Sequence, residues 1–554
     1  MVVDRVVETL SEHTGLAAST VREDVEVPPR VELGDYAYPC FRLAGEKGND
    51  PVVLAGDVAS RVSDLFHDVT SDGPYVNITL SPAEKVRVAE EPVAKDEDDK
   101  IIVEFPSPNT NKPLHLGHAL NMAIGQSMVD ILRFLGNDVV VENLYNDRGI
   151  HISKSMVAYR REGDGETPEN TGRKPDHFVG DYYVRYGEIE EADPSVSDEA
   201  QEMLQDWESG DAETRSLWNR MRSWCLQGIR STIGDYGVQV DRERFESDIY
   251  EDGRSLVRDG LDRGVFEEDE DGAIIADLSE EDLGTKHVLR SDGTTVYLTQ
   301  DLGLAKTRAD DTDPDRIVHV VGNEQEYHFQ CLFSILDRLG FEFADDLHHL
   351  SYGMLRLSEG TMSSREGTAI YADDVRAEMI SRAKDEIEDR HEAVDNDDLA
   401  ERSETIGMGA LKYYLLRTDP KRDVTFDPEA SLSFTGETGP YIQYTYARIT
   451  SMLEESEESE ADYTVLSSVE ERKVLRLLIG FEEQVRRAAR SYNPSSVANY
   501  ALELAQAFNE FYHEHRVLVD DEAVRGARRE LCGLVAERLE TSLSLLGIDV
   551  VEEM

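Results

Sequence analysis

Residues 104–118 read EFPSPNTNKPLHLGH. They place a carboxylate (Glu104), a hydroxyl and an amide (Ser107, Asn109), a lysine (Lys112) and two imidazoles (His115, His118) around Gly117, directly after the apolar run IIVEF. Residues three apart share one face of a helix or turn, so the imidazoles can present N–H donors side by side. With a helix N-terminus behind them, such donors cradle a polyphosphate and stabilise charge that grows in a transition state. Gly117 leaves backbone open to an adenine ring or a ribose. No G-x-x-x-x-G-K-[ST] run occurs, so this is not a P-loop. H-x-x-H alone also suits a helix cap or a metal, and both alternatives stay open on these residues.

Groups of this kind need a strand and a helix to aim them. IIVEF at 101–105 predicts a buried parallel strand. HALNMAIGQSMVDILRFLG at 118–136, apolar at 120, 124, 128, 131 and 135, predicts an amphipathic helix stopped by Gly136. DVVVENLYN at 138–146 predicts the next strand, which completes a βαβ unit. The chemistry-bearing residues then fall beyond the strand's carboxyl end, where doubly wound sheets bind ligands. RIVHVVG at 316–322 predicts a further buried strand, with a helix through FQCLFSILDRLG. HVLRSDGTTVYLT at 287–299 predicts a hairpin about Asp292-Gly293.

Before this lies a small α+β unit: helices over VVETLSEHTGL and VLAGDVASRVSDLF, and a strand at PYVNITL. The acidic stretch AEEPVAKDEDDK at 89–100 reads as a linker. Residues 150–235 read as polar and helical. After EESEESEAD at 454–462 come three amphipathic helices, so the tail is all-α.

The length of 554 residues suggests about three or four domains. Cys40, Cys225, Cys331 and Cys532 are isolated, which predicts reduced thiols in a cytoplasm and neither zinc nor disulfides. No long apolar run or leader-like N-terminus is present, so neither a membrane span nor a signal peptide is expected. The 115 acidic against 57 basic residues give a net charge of −58, spread over the whole chain. Ordinarily such a charge argues against a nucleic-acid partner. A solvated acidic coat in a halophile's salt removes that objection, because the Debye length at 1 M is only about 3 Å.

VEFPSPN followed by NKPLHLGH resembles the HIGH signature of class I aminoacyl-tRNA synthetases, specifically arginyl-tRNA synthetases. LSEGTMSSREGT at 358–369 resembles their second signature, KMSKS: Met362 and Ser363 match, while Thr361 and Ser364 stand where lysines are usual. Arginyl enzymes often lose that lysine and carry one just before the histidine motif, the place of Lys112. The resemblance therefore implies a catalytic set of Lys112, His115, His118, Met362, Ser363, Ser364 and Arg365, with ATP on His115, Gly117, His118 and Ser363.

For arginine it implies Glu104, Ser107, Asn109, His118, Tyr297 and Asp301 (in YLTQD) and Gln325 (in VGNEQEYHF). Asp301 and Tyr297 would take the guanidinium, and Ser107, Asn109 and Gln325 the α-amino and carboxylate end. Alone, Tyr297 reads as a sheet tyrosine and Asp301 as a helix N-cap; in the family's order and spacing they read as a pocket.

LSFTGETGPYIQYTYARITSM at 432–452 resembles the start of the family's anticodon-binding domain, so Tyr441, Tyr444 and the terminal Met554 are implied for tRNA; the alternative is plain helix packing of Tyr441, Tyr444 and Arg448. LGDYAYP and GPYVNITL resemble the family's tRNA-elbow domain, implying Tyr75 and Asn77.

The expectation is thus a Rossmann-like class I α/β catalytic domain with a helical insertion (96–430), an N-terminal α+β domain (1–95) and a C-terminal all-α bundle that binds the anticodon (431–554). It would be a monomeric, cytoplasmic enzyme of halophilic archaeal type that joins arginine to AMP from ATP, with Mg²⁺, and passes it to tRNA(Arg), activation itself requiring tRNA. Two rivals stand beside it. A cysteinyl-type synthetase would need zinc ligands that are not visible, and a catalytically dead binding module would explain the missing loop lysines.

Overall fold

The computed structural model describes residues 2–358, 370–390, 395–456 and 459–552. Met362, Ser363, Ser364, Arg365 and Met554 lie outside them.

Among the described residues, five parallel strands form the centre: β1 (Lys100–Glu104), β2 (Asp138–Tyr145), β3 (Arg242–Phe245), β4 (Arg316–Gly322) and β5 (Leu347–Tyr352), in the order β5-β4-β1-β2-β3. Ile101, Ile102, Val103, Ile317, Val318 and Val320 are all buried, because helices cover both faces of such a sheet. The chain runs outward from β1 through β2 to β3, then returns to lay β4 on β1's other side. The strand order therefore reverses between β1 and β4, which opens a crevice at β1's carboxyl end.

Helix α1 (Leu116–Phe134) starts two residues earlier than its apolar period predicts, because His115 caps it and His118 closes the capping box. Gly136, at φ 114°, ends it, and a Cβ there would stand 2.6 Å from the Glu97 carbonyl oxygen.

The expected hairpin is half present. Asp292 closes the turn by accepting from the Thr294 N–H at 2.9 Å, but a single bridge between Leu289 and Thr295 is all that follows. VYLT does not form a strand: it opens helix α2 (Tyr297–Asp311), where Thr299 Oγ1 accepts from the Val296 N–H and Leu298, Leu302 and Ala305 bury at helical spacing. β3 (RERF) is a short, half-buried edge strand whose charges hide any apolar alternation.

Five helices fill 150–235, the longest being Ala212–Asp235. The N-terminal unit packs helices Val2–Thr14 and Pro51–Val62 on a three-stranded antiparallel sheet with Tyr75–Thr79 in the middle. The tail holds helices Gly439–Glu454, Val469–Ser491, Ser495–Glu514 and Glu522–Ser544. Arg486 of the tail donates to the Ala94 carbonyl at 3.2 Å and the Asp96 carboxylate at 2.8 Å, which lashes the acidic linker to the bundle. No described helix is long and apolar enough to cross a membrane.

Candidate active site

The 104–118 segment leaves β1 and runs back beside β2. The Thr110 N–H donates to the Asn146 carbonyl at 3.0 Å, and the Asn146 N–H donates to the Pro108 carbonyl at 3.0 Å. His115 and His118 stack with centroids 4.0 Å apart. His115 Nδ1 accepts from the Gly117 N–H and His118 Nδ1 from the His115 N–H, both at 3.1 Å. Each ring must therefore carry its proton on Nε2 when neutral. Neutral they are: burial, followed by Lys112, drives the His115 imidazole down to about 4, and burial, His115 and Lys112 hold His118 well below the usual histidine range.

The two rings cap the helix and, by the same bonds, offer two Nε2–H donors. Gly117 has a stronger reason than open backbone, since a Cβ there would lie 3.0 Å from His115 Cε1. With both imidazoles uncharged, the positive charge of the 104–118 segment is that of Lys112. Among the described residues its ammonium has no acidic partner, in a chain carrying twice as many acids as bases.

Glu104 lies in a feature the sequence did not reveal. His319 on β4, Glu104 on β1 and Glu142 on β2 sit in one register row across the sheet. From below, the buried Arg308 of α2 donates to Glu142 and Glu104, each at 2.6 Å. Arg244 of β3 donates to Glu142 at 3.0 Å, and His319 Nδ1 lies 2.9 Å from Glu104. Burial alone would raise the Glu104 pKa, but Arg308 and His319 outweigh it and keep the carboxyl ionised. Its charge is thus balanced inside the chain, and its Oε1 accepts from Ser107 Oγ at 3.0 Å.

Ser107, held at φ 50°, also donates its N–H to Asn143 at 3.1 Å. Strained residues of this kind cluster at ligand sites. Asn109 is exposed and makes no side-chain bond among the described residues.

Arg308→Met leaves two buried carboxylates without their shared countercharge, a loss of about 3–5 kcal/mol. Urea unfolding at pH 7 is expected to show a midpoint shift of that size with an unchanged slope.

Helix α2 carries Tyr297 and Asp301 four residues apart, on one face. Tyr297 is 76% exposed and is no sheet residue; Asp301 lies inside the helix and is no N-cap. Asp301 Oδ2 accepts from His328 Nε2 at 2.6 Å. Burial lowers the His328 pKa, but the bond and charge of Asp301 raise it further than that, above its ordinary value. Gln325 stands exposed just before helix α3 (Glu326–Leu339), which carries His328.

Sequence reasoning missed the next acid. Glu246 opens the helix after β3, buried and hydrogen-bonded by Gln300 at 2.6 Å. Burial, with the charges of Asp147 and Asp301, pushes it up to about 8 against the pull of Arg148. Asp147 is itself taken by Arg222 at 2.6 Å and Ser247 at 2.8 Å. The result is a pair of neighbouring acids, Glu246 and Asp301, of which Glu246 holds its proton to about 8, suited to a cation that arrives and displaces that proton. RERFES carried no periodic signal for it; only the fold brings position 246 beside position 301.

The tRNA candidates divide. Tyr75 is half-buried with Phe41 edge-on at 6.0 Å, and Phe41 is 56% exposed. Asn77 shares that sheet face, but between Ala37 and Thr70 on the flanking strands it is only 5% exposed, so its amide is not displayed as expected. Asn509 donates to the Tyr441 hydroxyl at 2.9 Å and accepts from Arg448 at 3.0 Å. Arg448 lies over the Tyr444 ring at 4.6 Å. Helix packing therefore does occur here, with Tyr441 and Tyr444 half-buried rather than hidden.

A cavity of about 930 Å³ lies elsewhere, between the N-terminal unit and the tail. Of its five arginines, four are engaged within the chain: Arg22 pairs with Asp4, Arg490 with Glu483, and Arg476 and Arg538 with carbonyls, as at a domain junction.

Comparison with known proteins gives concordant results. The families described as "tRNA synthetases class I (R), catalytic domain", "DALR anticodon binding domain" and "Arginyl tRNA synthetase N terminal domain" match residues 83–427, 442–554 and 2–80. The chain is 41% identical over 558 residues to the arginine–tRNA ligase of Treponema denticola, covering 96% of this chain and 95% of that one. It is 40% identical over 560 residues to that of Bacteroides thetaiotaomicron, covering 94% and 90%. The Thermus thermophilus arginyl-tRNA synthetase structure superposes at a TM-score of 0.85 with 27% identity, covering 99% of each chain. At 18% identity, the Plasmodium falciparum enzyme shares the fold, with a TM-score of 0.81 over 100% of this chain and 99% of that one.

Proposed function

We propose a division of labour within one cleft, from the premise that this chain belongs to the class I arginyl-tRNA synthetase family. Its activity is arginine–tRNA ligation: arginine's carboxylate attacks the α-phosphate of ATP, pyrophosphate leaves, and the arginyl group passes from the adenylate to the 3′ end of tRNA(Arg).

No protein nucleophile is needed; catalysis is positioning plus charge stabilisation. His115 and His118 donate Nε2–H to phosphate oxygens, while Lys112 supplies the charge that Ser364 does not. ATP lies over Gly117, and Ser363, Met362 and Arg365 complete the catalytic set. Mg²⁺ arrives with the ATP, held mainly by phosphate and water. Asp301 and Glu246 receive the guanidinium with Tyr297, and Ser107, Asn109, His118 and Gln325 border the amino-acid backbone. Glu104, its charge already balanced, fixes Ser107 and α2 and does not serve as a countercharge.

The tRNA's anticodon loop meets Tyr441, Tyr444 and Met554, and its elbow meets Tyr75. The domains break at 95/96 and 430/431. The working form is a monomer in the cytoplasm.

The observation that carries the proposal is the Lys112 ammonium, without an acidic partner among the described residues, beside two neutral imidazoles. Arginine-dependent exchange of pyrophosphate into ATP tests it. Exchange is expected with arginine and tRNA, and neither with cysteine nor without tRNA. Exchange driven by another amino acid, or none at all, overturns it.

The acid pair sets a pH dependence. A bound guanidinium favours ionised Glu246 and displaces the His328 proton, so both groups release protons as arginine binds. The KM for arginine is therefore expected to fall as pH rises from 6.5, levelling above about 8, by up to about tenfold per pH unit for each proton released. Glu246→Gln should flatten the slope; a flat wild-type profile sinks the assignment.

The halophilic archaeal refinement goes beyond kinship, and the relatives reported above are bacterial. Its salt component rests on the −58 charge alone. Dilution from about 1 M to 0.1 M salt lengthens the Debye screen from about 3 to 10 Å. Activity and tertiary near-UV dichroism should then be lost together, and equal activity at both salts refutes the salt component.

A further inference from the structure

The chain re-enters the described residues at Ile370, and there it docks onto the histidine motif. The Leu116 N–H donates to the Ile370 carbonyl and the Ala372 N–H to the Leu114 carbonyl, both at 2.9 Å, with His115 bridged antiparallel to Tyr371. The backbone of His115, whose own N–H holds the His118 ring, is thus clamped by residues 370–372.

The clamp is anchored one residue further on. Asp373 Oδ2 accepts from Lys174 Nζ at 2.7 Å and His177 Nε2 at 2.8 Å, and Oδ1 accepts from Thr232 Oγ1 at 2.9 Å. These partners come from two helices of the insertion, Pro175–Ala192 with the residue that precedes it, and Ala212–Asp235. The Tyr236 hydroxyl adds a bond to the Ala372 carbonyl at 2.9 Å, and the His177 ring stands edge-on to Tyr371 at 4.9 Å.

The same helix also touches the other side of the motif: a Cβ on Gly180 would lie 2.7 Å from Pro113 and 3.5 Å from Lys112 Cα. Asp176, His177 and Asp373 have ligand atoms within 4.8 Å of one another, as a metal site would. The Lys174 ammonium, however, already stands 2.7 Å from Asp373 and 3.5 Å from Asp176 and fills the cation's role.

We propose that Asp373 is a positioning residue for arginine activation: by tying Tyr371 to the helical insertion it fixes His115 relative to Lys112, both of which contact ATP. This rests on the assignment of those two residues above. No periodicity marks Asp373, because its partners Thr232 and His177 lie 141 and 196 residues upstream.

Asp373→Asn keeps the shape and removes the charge. Small misplacement of reacting groups costs up to about 10²-fold, so kcat for arginine-dependent exchange should fall about 10- to 100-fold. The KM for arginine should hold within about twofold, since the guanidinium pocket is built by α2 and Glu246. Asp373→Glu, which restores the charge, should recover part of the rate. In a His115→Asn background the same change should cost under about twofold, because the two residues act as one unit.

Far-UV dichroism and thermal melting establish that each variant is folded at the assay temperature. An unchanged kcat overturns the proposal. So does a rise in the KM for arginine that matches the fall in kcat, or an equal cost in both backgrounds; both would mark a structural role only. If Lys112→Ala and His115→Ala prove harmless, the underlying assignment fails instead.

Discussion

Lys112→Ala is expected to lower kcat for arginine-dependent pyrophosphate exchange by about 10²- to 10³-fold, the range for losing one preorganised group aimed at developing charge. The KM for arginine should stay put, because the proposal assigns the lysine to the phosphates and not to the amino acid. The size follows from what the neighbours cannot do. His115 and His118 are held neutral by burial and by Lys112 itself, so each offers a dipole and no net charge. Thr361 and Ser364 offer none. Around them lies a chain of net charge −58, which opposes a polyphosphate everywhere else.

Lys112→Arg should recover only part of the rate, since a planar guanidinium does not replace a compact ammonium. His115→Ala should also fall by about 10²-fold while removing the helix cap, so its melting temperature drops as well. Full activity in Lys112→Ala would refute the compensation for the missing loop lysines while leaving the family assignment intact.

What the sequence made legible follows the range of each physical signal. β1, α1, β2 and β4 were visible because a two-faced buried strand is a continuous apolar run and a helix face repeats every three to four residues. The histidine pair and the lysine were visible because they fall within one stretch of seven residues, 112–118.

The limits of sequence reading have equally specific causes. VYLT is as apolar and β-branched as a strand, and only Thr299 and the burial of Leu298, Leu302 and Ala305 turn it into helix. Glu246 and Arg308 were invisible because a charged residue next to a strand or inside a helix reads as solvated surface; tertiary placement alone buries them. The Asp373 hub joins positions more than 140 residues apart. The burial of Asn77 was not legible because alternation gives the sheet face and not what covers it.

Asp301→Asn is the sharpest test of specificity. The change is isosteric, so α2 keeps its packing on Leu298, Leu302 and Ala305. The carboxylate's charge is lost, and the new amide points N–H groups at a ligand that has five donors and no acceptor. Breaking one partner of a charge pair taken out of water costs about 3–5 kcal/mol, which is roughly 10²- to 4 × 10³-fold in kcat/KM for arginine.

Most of that loss should appear in KM, because the guanidinium is bound equally in the ground and transition states. Citrulline, uncharged and of the same shape, separates this from general damage. Wild-type enzyme should reject it by about 10⁴-fold, as a site whose buried acid would go unpaired does. In Asp301→Asn the ratio should collapse, because arginine loses and citrulline does not. Should the ratio survive with arginine weakened, the acid that selects the cation is Glu246, and Asp301 serves chiefly to hold His328.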